Sequence, residues 1–577
     1  MAGEHAFKAG AQFIRDVESQ NDGSSYPHVN INWDQESAAL EGYGVPPFRG
    51  TYGNYEIISG WNSPYGYTWD AHRDAWAVYL QDSWTINGKL TVNAGLRTET
   101  EYIPSFSTAV APEDMVPIKF KWGQKFAPRL GVVYDVFGDS SLKVFGSFGI
   151  YYDVMKMYIA EGAFGGYKWS TDYYKLDNPD WRLIGATNSI PDRASQEAGG
   201  AYMGHLDWRI PSFDTLEPNM KPVGQRELSL GVEKKLTEDI SASVRLVQKH
   251  LIRTIEDIGV GKAGGEQYYE GNPGSAWINE KFNELLPPIQ TGPGTTPPVG
   301  WTYPAWDTLP AGTFNYWPQV KAKREYSAMN VDLVKRFSHN WQGGLNYTLS
   351  LTKGNYGGLS STDEFGRNSP NVERSFDLWF MMYQIDGTPV DGPLPQDRTH
   401  YIKAYGSYSF PIGLTVGVTS YARSGNPMSS RLPFTNAYFY PDGYSDLGRL
   451  PWTIWGDVFA EWAIKIGGKY TIALNAQINN IANTRTWQHY RYAMTRLSGG
   501  MSIPDIFLLN GEAMNPDTIY TTRHGTAPNY TYRTVYWRDR VQYYRPDVTY
   551  AGLESSEFKY NNQFGRRSLR LGARFTF

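Results

Sequence analysis

The stretch 74–99, DAWAVYLQDSWTINGKLTVNAGLRTE, decides how the rest of the chain is read. Two alternating runs flank Asn87-Gly88, a dipeptide that suits the positive-φ turn of a tight hairpin. In the second run Leu90, Val92, Ala94 and Leu96 fall on one face, and Thr91, Asn93, Gly95, Arg97 and Glu99 on the other. In the first, Trp76, Val78 and Leu80 oppose Ala77, Tyr79 and Gln81. Both runs outlast the roughly 5–6 residues of an ordinary strand. Strands of about 9–11 residues or more, apolar on one side and polar on the other, are what a membrane-spanning barrel requires.

The same pattern recurs along the chain. A first strand is expected over 5–16, then pairs over 126–136 and 142–153, 225–236 and 240–254, 324–337 and 341–353, 398–410 and 414–423, and 451–466 and 469–480. A last strand is expected over 568–577. Short turns alternate with long connections at about 17–72, 154–224, 255–322, 354–397, 424–450 and 484–567. Short turns on the periplasmic side and long loops outside characterise outer-membrane barrels. The pattern predicts an all-β, antiparallel up-and-down transmembrane barrel of about fourteen visible strands, with residues 1–577 as one barrel domain. A large soluble sandwich or propeller fits less well, because the strands are long and no blade-sized repeat occurs. A Lys or Arg on the lipid face costs roughly 2–4 kcal/mol at mid-membrane, so the faces bearing Arg97, Lys143, Arg245, Asn346 and Asn475 should look inward. So wide a ring leaves a lumen that is watery or plugged.

Composition agrees. Aromatic residues reach 15%, with 42 Tyr and 20 Trp, while charged residues make up 19%. The mean hydropathy is −0.49, and no run is long and apolar enough for a membrane helix, which leaves strand-based crossing open. A net charge of −4 supplies no basic field for nucleic acid, so no nucleic-acid partner is expected. The absence of cysteine removes disulfides and thiolate metal sites. The opening MAGEHAFKAG lacks the charged and apolar regions of a signal peptide, so an envelope protein would be expected to start upstream of Met1. Trp76, Trp84, Trp341, Trp455 and Trp462 near strand ends read as an interfacial girdle.

Several segments together resemble the barrel of a TonB-dependent outer-membrane transporter of the Oar-like branch. They are Tyr79-Leu80-Gln81-Asp82-Ser83-Trp84 with the strand from Leu90 to Arg97, Phe126-Ala127-Pro128-Arg129-Leu130-Gly131, and Gly354-Asn355-Tyr356. Leu394-Pro395-Gln396-Asp397-Arg398-Thr399-His400, Ser424-Gly425-Asn426-Pro427 and the final strand complete the set. The resemblance implies a bacterial outer-membrane location and a barrel of about 22 strands, of which this chain would supply the C-terminal part. It also implies a plug and a TonB box, neither visible here, so contact with TonB would run only through that plug. Outer-membrane lipid and lipopolysaccharide and the barrel-assembly machinery are the further partners implied, with room for a surface lipoprotein over the mouth. Leu569, Leu571, Ala573, Phe575 and Phe577 alternate to a terminal aromatic and look like the assembly machinery's recognition signal; the plainer reading is a last apolar strand.

No HExxH, phosphate loop or GxSxG elbow is present, so neither an enzyme nor a metal or cofactor site is expected. Function should lie in the long loops, which face the medium on a rigid wall. Trp169, Tyr173, Tyr174 and Trp181 are the candidate ligand contacts, against the alternative that each packs its loop onto neighbours. The expected activity is uptake or passage of a large substrate such as a glycan, peptide or chelate. A passive pore and a structural or adhesive surface barrel are the alternatives.

Overall fold

A computed structural model describes residues 3–23, 28–37, 46–59, 66–105, 115–157, 164, 170–184, 202–207, 213–262, 265–285, 319–358, 376–377, 381–384, 388–429, 432–434, 437–440, 443–446, 448–484, 519–524, 531–536 and 566–577. Its wall is one large antiparallel sheet in which fourteen strands follow one another in chain order. They are β1 (Gly3–Gly23), β2 (Gly66–Ile86), β3 (Leu90–Ile103), β4 (Ile118–Asp135), β5 (Leu142–Tyr152), β6 (Gly224–Lys235) and β7 (Ile240–Arg253). The second half comprises β8 (Arg324–Ser338), β9 (Trp341–Gly354), β10 (His400–Ser409), β11 (Leu414–Arg423), β12 (Thr453–Ile466), β13 (Tyr470–Asn479) and β14 (Ser568–Thr576). A two-residue strand, Gly392–Pro393, adds to the end of β9.

Turn chemistry joins each pair locally. Asn87 and Gly88 adopt φ of 53° and 65° between β2 and β3, as the hairpin requires. Register then sorts the side chains. Tyr79 pairs with Arg97, Gly95 with Arg129, Gly231 with Arg245, Asn346 with Lys403 and Asn475 with Gly572, all on one face. The opposite face carries Phe7, Leu80, Leu230, Leu246, Leu571 and Phe575, each more than half exposed. Large apolar side chains left bare in this continuous band are explained only by hydrocarbon around them. The five polar positions expected to look inward therefore do so.

Three expectations change. β1 and β2 are each 21 residues long, so 17–23 and 66–72 belong to the wall and not to the connection placed at 17–72. The connections are also built, not structureless. His28–Trp33 and Gly53–Ser59 join Ser170–Leu176 and Tyr202–Asp207 in a four-stranded loop sheet. The connection after β7 holds the hairpin Glu256–Lys262/Gly265–Gly271 and helix α1 (Ala276–Leu285). Finally, Trp455 lies on the inner face, paired with Tyr421 and donating its indole N–H to Asp457 at 2.9 Å. Strand parity from Thr453 places Ile454 outward instead.

Candidate ligand mouth and lumen

At the loop end the wall closes over a charged cluster. β4 carries a bulge near Gly123 (φ 86°), and the register with β3 shifts between Glu99 and Glu101. The shift puts Lys125 opposite Glu99 and Phe120 opposite Glu101, so both turn inward. The Lys125 ammonium, 1% exposed, meets Glu101 at 2.6 Å, Glu99 at 3.4 Å and the Asp153 carbonyl at 2.8 Å. Glu101, equally buried, also accepts from Arg73 at 2.8 Å and from the Met155 backbone N–H at 2.8 Å. Arg73 donates in turn to Asp16. Ile103, Ile118, Phe120, Met155, Phe164 and Leu216 pack over these charges as a hydrocarbon cap. Such a cluster is stable only while every charge is matched.

On the other side of the mouth, the recurring motifs meet. Asp397 is fully buried and accepts from the Thr352 N–H at 2.6 Å and from Arg449 at 2.5 Å. Arg398 donates to the Ser424 carbonyl at 2.8 Å, Asn426 to the Pro395 carbonyl at 2.6 Å, and Gln396 to the Gly357 carbonyl at 3.0 Å. A Cβ on Gly425 would lie 1.7 Å from the Leu450 carbonyl oxygen, so two backbones cross there at a distance only glycine allows. Asn355 caps the same layer, accepting from the Lys323 N–H at 2.6 Å and donating to the Lys321 carbonyl at 3.0 Å. These segments form a hydrogen-bonded collar that anchors the loops to the strand ends.

The four aromatic candidates separate. Tyr174 is 1% exposed, stacked on Tyr55 with ring centres 4.9 Å apart and edge-on to Tyr202 at 5.4 Å. Burial pushes the Tyr55 hydroxyl up to about 12. Tyr173 packs with Phe48 and Met203. Both tyrosines hold the loop sheet together. Trp181 is exposed, and Trp169 lies outside the described residues. Beside Trp181, Asp180 binds Arg182 at 2.6 Å, and that guanidinium holds its carboxyl below the usual range. Trp33 and Tyr52 are exposed too. Register places Trp33 opposite Gly53, and Gly53 opposite Leu176, so they share one end of the loop sheet with the segment leading to Trp181. The sequence alone did not single them out, because the alternating run ending in Trp33 is only six residues long and Tyr52 lies among turn residues.

Below the mouth, the inner face has a recess of about 450 Å³ floored by Gly95 and Gly131 and bordered by Tyr79, Asn93, Arg97 and Tyr151. Arg129 stands at its side with its guanidinium 4.8 Å above the Tyr151 ring. Among the described residues no group of three or more His, Asp or Glu converges on a metal-sized site. Leu569, Leu571 and Phe575 project from β14 on the outer face, and Phe577 follows its end; all four are exposed.

A wall with one greasy and one wet face, topped by loops at one end, defines the class of outer-membrane β-barrels. The comparison with protein families agrees: the outer membrane beta barrel domain matches residues 1–425, and the chain belongs to that family, which is not an enzyme family. It is an outer-membrane β-barrel protein. The TonB-dependent transporter Oar of Myxococcus xanthus is 25% identical over 401 residues, covering 65% of this chain and 32% of that protein. The chain thus spans about a third of that relative's length. Among solved structures, the Escherichia coli outer membrane transporter YddB overlays with a TM-score of 0.47 at 11% identity, over 84% of this chain and 49% of that one. The Acinetobacter baumannii siderophore receptor PiuA gives 0.40 at 9%, over 84% and 50%.

Proposed function

We propose that this chain is the wall and outer mouth of a TonB-dependent transporter that captures a substrate too large for free diffusion, such as a glycan, peptide or chelate. The observation that carries the reading is the junction of collar and wall. Long loops are folded, hydrogen-bonded to the strand ends and backed by buried charges, which is how a rigid capture surface is held over a lumen. The sequence relation to a TonB-dependent transporter supports it. Exposed Trp33, Tyr52 and Trp181 would make first contact, with Trp169 as a further candidate and Tyr173 and Tyr174 shaping the sheet beneath.

The wall reaches β1 on one side and β14 on the other, and among the described residues each is paired along one edge only. An unpaired edge is costly in hydrocarbon, so we infer that further strands close the ring. Energy would arrive through a plug and TonB, and the alternating terminal residues Leu569 to Phe577 would serve the assembly machinery. The test is conductance of the protein produced from its native gene in planar bilayers. A plugged transporter should conduct steadily only after urea loosens the plug. Steady current from the moment of insertion would replace this reading with a passive pore, and silence at every urea concentration with an adhesive barrel.

A further inference from the structure

The outer face of the wall is not uniformly filled. Gly343 of β9 pairs with Gly406 of β10, so two residues without side chains lie together on the lipid-facing surface. A Cβ built on Gly406 would meet the Gln342 carbonyl oxygen at 3.4 Å and the Gly343 Cα at 4.0 Å, so the position has room. Around this floor lies an open cleft of about 780 Å³. Leu333, Leu345, Val416 and Val418 line it, with Trp341 and Phe410 at the rim. The rim is at the turn end of the strands, since Trp341 opens β9 and Phe410 follows β10. There the Lys335 ammonium sits 4.8 Å over the Trp341 ring and 2.6 Å from Asp239 of the preceding turn. An ion pair and an indole side by side mark the headgroup level. None of the buried polar atoms without a partner among the described residues lines the cleft.

We propose that this cleft is a binding site for one phospholipid of the inner leaflet, an acyl chain lying over Gly343 and Gly406 and the headgroup level with Trp341. The occupant follows from what surrounds the cleft. It is continuous with the band that faces hydrocarbon, and it opens toward the turn side, which is the periplasmic side. A flexible chain fills an irregular recess and gains contact with its walls, whereas an empty recess loses that dispersion outright.

The protein purified from outer membranes in mild detergent, with added phosphatidylglycerol, tests this by native mass spectrometry. One retained lipid per chain is expected after repeated detergent exchange. Gly406→Leu and, independently, Val418→Trp fill the cleft and should each cut the retained fraction about tenfold. Leu230→Trp, on the same face but away from the cleft, should leave it unchanged. A heat-dependent gel shift reports folding of each variant, and Val418→Trp carries the test if Gly406→Leu does not fold. The proposal fails if the unaltered protein keeps no lipid, if the cleft-filling variants keep as much as it does, if Leu230→Trp loses as much as they do, or if a dimer mass replaces the lipid adduct.

Discussion

The wall and the mouth bury their apolar groups by opposite means. On the wall, Leu571 is 75% exposed and Phe7 70%, and solvation by lipid completes what the chain leaves open. In the mouth, Ile258, Leu394 and Phe164 are fully enclosed by the chain itself, together with Glu101, Lys125 and Asp397. One polypeptide therefore contains a structure finished by hydrocarbon and a structure finished by its own loops. The difference assigns the charges as well. The wall keeps cations at its wet face or, like Lys335, at the headgroup level, while the mouth takes them inside and must match each one.

The sharpest test of that contrast is to unmatch one. Glu101→Ala removes the carboxylate that Lys125 and Arg73 share beneath the hydrocarbon cap, leaving only Glu99 at 3.4 Å and Asp16 to balance them, and loss of one partner from a buried pair costs about 3–5 kcal/mol. Hydrogen exchange should show the amides around Met155 opening while the centres of β10 to β13 stay protected. Loss of protection throughout would mean that mouth and wall are a single cooperative unit. Next in size is a charge moved by one residue. Leu246→Arg places a guanidinium in hydrocarbon and should destabilise the barrel in lipid vesicles by about 2–4 kcal/mol, whereas Val247→Arg points it into the lumen at little cost. Equal urea midpoints for the two variants would overturn the assignment of faces. Third, Asp397→Asn keeps the shape of the collar but weakens its charge-assisted bond from Arg449, at about 2 kcal/mol. Faster protease nicking near residue 449, with an unshifted barrel transition, is the expected readout.

The wall was legible because alternation is a local signal, repeated in every strand. Arg97, Lys143, Arg245, Asn346 and Asn475 were placed inward from parity and the energetics of charge in lipid alone. The signal failed where lipid ends. At the loop end of β1 the sequence is polar at successive positions, so Glu18, Ser19, Gln20 and Asn21 show no contrast and read as loop. The bulge at Gly123 hid the start of β4 for a related reason, since it breaks the period across Lys121 and Gln124. Trp455 read as girdle because its type suited the role, while strand parity turned it inward. The collar was visible only as separate motifs. Asp397 and Arg449 are joined through space across 52 residues of sequence, and no local pattern announces such a pair. Among the aromatics, composition marked Tyr173, Tyr174 and Trp181 alike, and only packing divides them.

The smallest effect lies in the loop sheet, where mouth chemistry can be followed by pH alone. Tyr55 stacks on Tyr174, and its burial raises the hydroxyl from 10.0 to about 12. The folded sheet thus holds a proton that the unfolded chain gives up near pH 10. Its contribution is complete below that point and falls as pH rises through the folded value, by about one decade in the opening equilibrium per pH unit. Absorbance of tyrosinate in the intact protein should lag behind that of the urea-unfolded chain between these values. Hydrogen exchange of Gly53–Ser59 should accelerate over the same window. Tyr55→Phe has no proton to lose, so its exchange should respond less to alkali while the stack with Tyr174 persists. The wall offers the internal control, because its apolar face carries its stability without such a proton, and Leu246 and Leu571 titrate nothing. An identical alkaline response in Tyr55→Phe and the unaltered protein would show that the loop sheet opens for another reason, and that burial at this ring does not govern it.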